Sequence, residues 1–154
     1  MNALRRQEVW SKSETWTRHA STFSIQVVHW EVSTPLHNED GGQRWNVYAV
    51  ISDRHPRFKL IDGYDIWQEA LQALPLYWGC TFVQRNVSQY STSVKVGSDY
   101  AHWQDEEYMR ATDEKTAAAR QVFADAQELY DFLLKEEQAE STSKEPSNDT
   151  PTIS

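Results

Sequence analysis

The chain has a single cysteine, Cys80, so it cannot form an intramolecular disulfide, and a reducing compartment is the matching environment. Its longest largely apolar stretch, Ala73 to Cys80, is far too short to cross a bilayer. Met1-Asn-Ala-Leu-Arg-Arg-Gln-Glu has basic residues with no apolar run behind them, which does not fit a secretory signal. A cytoplasmic protein without membrane association is expected. There is no phosphate-cradling glycine loop, paired-cysteine zinc pattern or nucleophile elbow. Familiar enzyme classes therefore lose their usual signatures.

Positive charge is also scarce where it would matter. The net charge is −8 over 154 residues. Residues 1–98 carry ten Lys/Arg against nine Asp/Glu, whereas residues 99–154 carry five against fourteen. Nucleic-acid binding rests on phosphate contacts and needs a basic face, so direct binding of DNA or RNA is not expected. An acidic last third instead suits docking on a basic protein surface, including one that normally holds nucleic acid.

What the chain does have is aromatic bulk: seven Trp and seven Tyr in a length that fits one domain with a real core. Such side chains bury large areas, and Trp and Tyr keep a polar handle suited to binding surfaces. Core filling and a lined groove are both open readings.

No internal repeat is present. From about Glu140 the sequence runs "ESTSKEPSNDTPTIS", too poor in large apolar groups to offset its ordering entropy. This gives one domain over residues 1–138 and a disordered Ser/Thr/Pro/acidic tail over 139–154. "STFSIQVVHWEV" alternates as a half-buried strand, with Phe23, Ile25 and Val27 on one face. "Pro35-Leu-His-Asn-Glu-Asp-Gly-Gly42" reads as a loop, and "RWNVYAVIS" (Arg44 to Ser52) as the next strand. The region of Trp10 and Trp16 is a candidate short first strand. Asp65 to Leu74 reads as a helix of about three turns, stopped by Pro75. "CTFVQ" and "TSVKV" form a hairpin. Thr112 is the expected N-cap of a helix to about Glu137, with Asp113 and Glu114 in its first turn. That helix buries Ala119, Val122, Phe123, Ala126, Leu129, Tyr130 and Leu133. Strands come in pairs, so the expected fold is α+β: an antiparallel sheet of four to five strands with two helices on one face. Its inward residues should include Phe23, Ile25, Val27, Val47, Ala49, Phe82, Val94 and Val96.

Between the last strand and the long helix stands "GSDYAHWQDEEY" (Gly97 to Tyr108). Asp99, His102 and Asp105 recur at three-residue spacing, a set able to hold a metal or to do acid–base work. A plainer reading is open as well. Asp99 then caps a turn, His102 bonds to the sheet, and Asp105, Glu106 and Glu107 are solvated, while Tyr100 and Trp103 cover the sheet edge. "LYWGCTF" (Leu76 to Phe82) should lie beside it, because the start of one hairpin strand faces the end of the other. A nucleophilic thiol needs an accessible, electropositive setting, and Cys80 reads instead as buried packing. His19, His29, His37 and His55 show no ligand spacing.

"LPLYWGCTF" and "VKVGSDYAHWQDEEY", with "HPRF" and "DIWQEAL" before them, resemble a group of small, largely uncharacterised phage, prophage and bacterial proteins. Gly79, Cys80, Thr81, Gly97, Asp99, Tyr100, His102 and Asp105 match that pattern. Tyr77 (or Trp78) and Ser98 stand where the group usually has a histidine and a cysteine. The resemblance implies a mobile-element context and an accessory role inside a host cell, such as counter-defence. It does not imply a resident metal or cofactor here.

The expected function is therefore an anti-CRISPR-like binding protein that blocks a host defence protein or complex through an acidic surface. The alternative is a nucleotide-signal-binding protein, or slow hydrolase, built on the aromatic and histidine loops. Candidate binding residues are Tyr77, Trp78, Asp99, Tyr100, His102, Trp103, Asp105, Glu106, Glu107, Asp125, Glu128 and Asp131. Asp113, Glu114 and Glu136 would extend an exposed, unpaired acidic set.

Overall fold

The computed structural model describes residues 13–32, 41–102 and 104–144. Trp10, His37, Trp103, most of the loop expected from Pro35, and the tail beyond Lys144 lie outside these residues. Five strands, β1 (Ser13–His19), β2 (Phe23–Glu31), β3 (Gln43–Ser52), β4 (Phe82–Val87) and β5 (Thr92–Asp99), make one sheet in the order β1-β2-β3-β5-β4. Every neighbouring pair is antiparallel. The expected α+β sheet is present.

Alternation sets its two faces. On the covered face Phe23, Ile25 and Val27 of β2 stand beside Ile51, Ala49 and Val47 of β3, and Ala49 and Ile51 face Val96 and Val94 of β5. All eight are at most 4% exposed. The other face carries Ser24, Gln26, Asn46 and Lys95 and stays half-open to solvent.

Phe82 departs from expectation. It pairs with Gly97 and packs its ring edge-on against Tyr48 at 5.4 Å, on the open face, while Val83 takes the inward position. Gly97 makes this possible: a Cβ there would lie 2.4 Å from the Val47 carbonyl oxygen and 2.5 Å from the Tyr48 ring. The ring can shift but the ladder carbonyl cannot. Gly97→Ala is expected to cost about 2 kcal/mol through overpacking, read as a lower urea midpoint with an unchanged slope.

Among the described residues three α-helices, two of them a single turn, accompany the sheet, rather than the two expected. The long one, α3 (Ala117–Lys144), lies across β2 and β3 and buries Ala119, Val122, Ala126, Leu129, Tyr130 and Leu133 on one stripe. It starts later than Thr112. Asp113 is drawn into a turn by accepting the Lys115 N–H at 2.8 Å, so Thr116 provides the cap, accepting from Ala119 N at 3.2 Å. The helix also runs on to Lys144, past the end expected at about Glu137.

The three-turn helix expected from Asp65 shrinks to the single turn α1 (Glu69–Gln72). Local side chains claim the backbone before it. Asp65 accepts the Trp67 N–H at 2.9 Å, and the Gln68 amide donates to the carbonyls of Asp62 and Asp65. This segment closes the core with Ile61, Leu71, Leu74 and Leu76. It is tied to α3 by His55 Nε2 on the Leu133 carbonyl (2.9 Å) and by Arg57, which grips Glu136 with two donors (2.7 and 2.5 Å). Finally, α2 (Glu106–Met109) is one turn packed on β3.

Candidate functional site

β5 ends at Asp99, and Tyr100, His102 and Asp105 stand between it and α2. The antiparallel β4–β5 ladder brings the Tyr77–Cys80 turn back beside this exit, with Thr81 N–H on the Gly97 carbonyl at 2.9 Å. Two short segments far apart in sequence therefore meet.

Their centre is Asp105, a carboxylate only 2% exposed. One oxygen accepts the Tyr77 hydroxyl at 2.6 Å. The other accepts both the backbone N–H and Nδ1 of His102, each at 2.9 Å. A carboxylate accepts only, so it fixes the His102 proton on Nδ1 and turns Nε2 toward Asp99, 3.9 Å away. Asp99 also accepts the Ala101 N–H at 3.2 Å, the turn-capping role of the plainer reading. The other half of that reading is corrected: His102 bonds to Asp105 rather than to the sheet, and Asp105 is not solvated.

Around this pair sits a stack of tyrosines. Tyr77 lies flat on Tyr100 (4.4 Å, 14°), and Tyr108 closes against both at 5.4 and 4.9 Å. Tyr100 donates to Asp125 of α3 at 2.6 Å, and Gln121 donates to the second oxygen of Asp125 at 2.8 Å. Tyr108, buried and essential to the stack, was not singled out from sequence. Its signal was its place at the end of the "GSDYAHWQDEEY" run.

Trp78 is the exposed member. Its indole stacks on the His102 ring (4.6 Å, 17°) yet the residue remains 62% exposed. Its φ is +60°, a left-handed conformation that is strained for a bulky side chain. Gly79 follows at φ +84°, and a Cβ there would meet Gln72 Oε1 at 2.4 Å. The Gln72 amide donates to the carbonyls of Ile66 (2.6 Å) and Cys80 (3.1 Å), which holds the turn in place.

Chemically, the cluster offers an oriented imidazole but no nucleophile. The Cys80 thiol is 2% exposed and donates to the Phe82 carbonyl at 3.2 Å, and burial pushes its pKa up. Ser98 Oγ is buried without a partner. Among the described residues, no group of three His, Cys, Asp or Glu is placed to hold a metal ion.

The acidic set is corrected as well. Asp105 and Asp125 are consumed in the cluster, and Asp131 accepts from Gln127 at 2.8 Å. Asp113 serves its turn, and Glu136 pairs with Arg57. Glu107, Glu114 and Glu128 stay exposed, with Glu106 half-buried. The predicted stripe on α3 is thus not a continuous unpaired face.

Burial, then the Asp105 and Asp125 carboxylates, push the Tyr77 and Tyr100 hydroxyls well above the usual tyrosine range, and burial also raises Tyr48 and Tyr108. A raised folded pKa favours the proton-bound native state. Its stabilising contribution is complete below the unfolded tyrosine value of about 10 and is lost as pH rises above it. Stability should fall steeply above about pH 10, with the tyrosinate signals of Tyr77 and Tyr100, isolated by difference against their Phe variants, appearing together with unfolding. Ionisation of Tyr77 or Tyr100 in a still-folded chain would refute this.

Comparison with protein families, with curated proteins and with solved structures finds no match to this chain.

Proposed function

We propose that the chain is a non-catalytic binding protein that docks on a basic protein surface through the Trp78–His102 platform and the acids around it. The carrying observation is Trp78, a large apolar side chain held in a strained backbone and turned to solvent. Folding alone gains little from such an arrangement, whereas tryptophan is the residue type most often dominant at protein contacts. Asp99 lies 3.9 Å from His102, and Glu106 and Glu107 follow Asp105 on α2, so the acids near the platform favour a positively charged partner. The resemblance to small phage and prophage proteins makes that partner a host defence component, engaged at its nucleic-acid-binding surface. On this reading the protein acts in the host cytoplasm.

The test starts from partners captured from a host extract and continues with the purified pair. Trp78→Ala, and separately Asp99→Lys with Glu106→Lys and Glu107→Lys, should each weaken binding at least about tenfold. The wild-type affinity should fall with salt, mainly through the association rate. Full binding by both variants at low salt ends this reading.

A second reading has one observation in its favour. Asp105 holds the His102 proton on Nδ1 and turns Nε2 toward Asp99, where a water could be activated, while a nucleotide base could stack on the outer face of the exposed Trp78 indole. Equilibrium dialysis against linear and cyclic nucleotides, followed by product analysis, separates it from protein docking.

A further inference from the structure

A second group of exposed aromatics lies on a different segment. Leu60, Tyr64 and Trp67 are 56%, 66% and 77% exposed. The loop that carries them is nevertheless rigidly made. The Gln68 side chain accepts the Asp62 N–H at 2.7 Å and donates to the carbonyls of Asp62 and Asp65, while Asp65 holds the Trp67 N–H. Arg85 of β4 reaches the same loop, donating to the Ile61 carbonyl at 2.6 Å and more weakly to that of Gly63 at 3.4 Å. The rings are thus displayed on an ordered frame, so a ligand would not have to order them.

Next to this frame is an open groove of about 460 Å³, lined by Arg57, Leu60, Gln68, Glu69, Ala70 and Ala73. Arg57, at 8% exposure, does not offer its charge to a ligand, because Glu136 and the Ala70 carbonyl occupy it. The Arg85 charge points inward to its carbonyls. The charges left facing solvent are Asp62, Asp65 and Glu69, against Lys59 alone. Aromatic faces and carboxylates select for the same thing, a cation with an apolar stem.

We infer that the Leu60–Glu69 loop and its groove form a second binding site, for a peptide segment that alternates arginine or lysine with aliphatic residues. Cationic groups meet Asp62, Asp65, Glu69 and the rings of Tyr64 and Trp67. An aliphatic side chain enters the groove between Leu60 and Ala73. The site uses none of the residues of the Trp78–His102 platform and does not depend on its function.

The probe is a synthetic nine-residue peptide alternating Arg and Leu, with a Glu/Leu peptide and a single-stranded oligonucleotide as controls. In a nuclear magnetic resonance titration of the full chain, the Arg/Leu peptide should shift the Trp67 indole N–H. Tyr64→Ala with Trp67→Ala should raise its Kd at least tenfold, while Tyr90→Ala, in the β4–β5 turn and outside both sites, leaves it unchanged. These two positions are exposed, so the double variant should unfold at the wild-type urea concentration. An unchanged Kd in the double variant overturns the site, as does equal binding of the Glu/Leu peptide or the oligonucleotide. Loss of peptide binding in Trp78→Ala alone assigns the peptide to the other platform and overturns this one. Self-association that Trp67→Ala abolishes, without peptide binding, gives the surface to a second copy and also overturns it.

Discussion

Trp45→Ala is expected to lower stability by about 4 kcal/mol, in the range found when a large aromatic is emptied from a core. Trp45 is 1% exposed and is the point where α3 and the link before it meet the sheet. Its ring stacks on His29 at 4.1 Å and on Trp16 at 5.9 Å, and the edge of Phe123 from α3 closes it at 6.2 Å. Its N–H donates to the Ala111 carbonyl at 3.1 Å, in the link between α2 and α3. Alanine forfeits the transferred apolar area, leaves a void among rigid rings, and orphans a buried carbonyl. Trp45→Phe separates these terms: most packing survives, and the lost hydrogen bond should account for about 1–2 kcal/mol. Urea unfolding followed by near-ultraviolet circular dichroism measures both. A loss below about 2 kcal/mol for alanine would mean that Trp16 and Phe123 collapse into the space.

Asp105→Ala should cost about 3 kcal/mol, because it strands three donors at once around a carboxylate that is itself only 2% exposed. The Tyr77 hydroxyl, the His102 N–H and His102 Nδ1 all lose their acceptor. Asp105→Asn retains shape but has one oxygen for donors on both sides, and should fall between alanine and the native residue. The loss has a local readout. Without its anchor the His102 ring turns freely, its stack on Trp78 loosens, and the ring-current shift of its carbon-bound protons disappears. A variant of native stability with an unmoved His102 spectrum would show that water replaces the carboxylate.

How much of this was legible in the sequence depends on the kind of signal. β2 and β3 were readable because Phe23, Ile25 and Val27, then Val47, Ala49 and Ile51, repeat at a period that only a strand satisfies. The stripe of α3 was readable for the same reason at the helical period. Phe82 and Val83 defeated that logic. Both are apolar, so alternation was silent, and a slip of one residue reverses every side chain. The choice came from Gly97, whose bare α-carbon admits the Tyr48 ring on the open face. The turns before α1 were missed because Gln68 and Asp65 read as helix-compatible residues, while their actual bonds are to nearby backbone.

The site followed the same division. That Tyr77 and Trp78 meet Tyr100 and His102 could be deduced from a hairpin alone. The fate of the acids could not. Asp105 stands in a run that composition assigns to solvent, and Asp125 and Glu136 find Tyr100 and Arg57 only through packing of distant segments.

The strand order has a consequence for how the chain assembles. β1, β2 and β3 follow one another as a meander, and β4 with β5 is a local hairpin. Among the described residues only the β3–β5 ladder joins them, from Asn46↔Asp99 to Ser52↔Ser93, and the whole stretch from Asp53 to Ser91 lies in between. Closing that span is the largest entropic step in making the sheet, and nothing repays it until the ladder forms. The meander and the hairpin can each gather early, while the seam between β3 and β5 is set late. Tyr100, His102 and Asp105 lie just past the end of that seam. The cluster they build is therefore among the last features to form and the first to open, so amide exchange there should report the docking of the two halves rather than global unfolding.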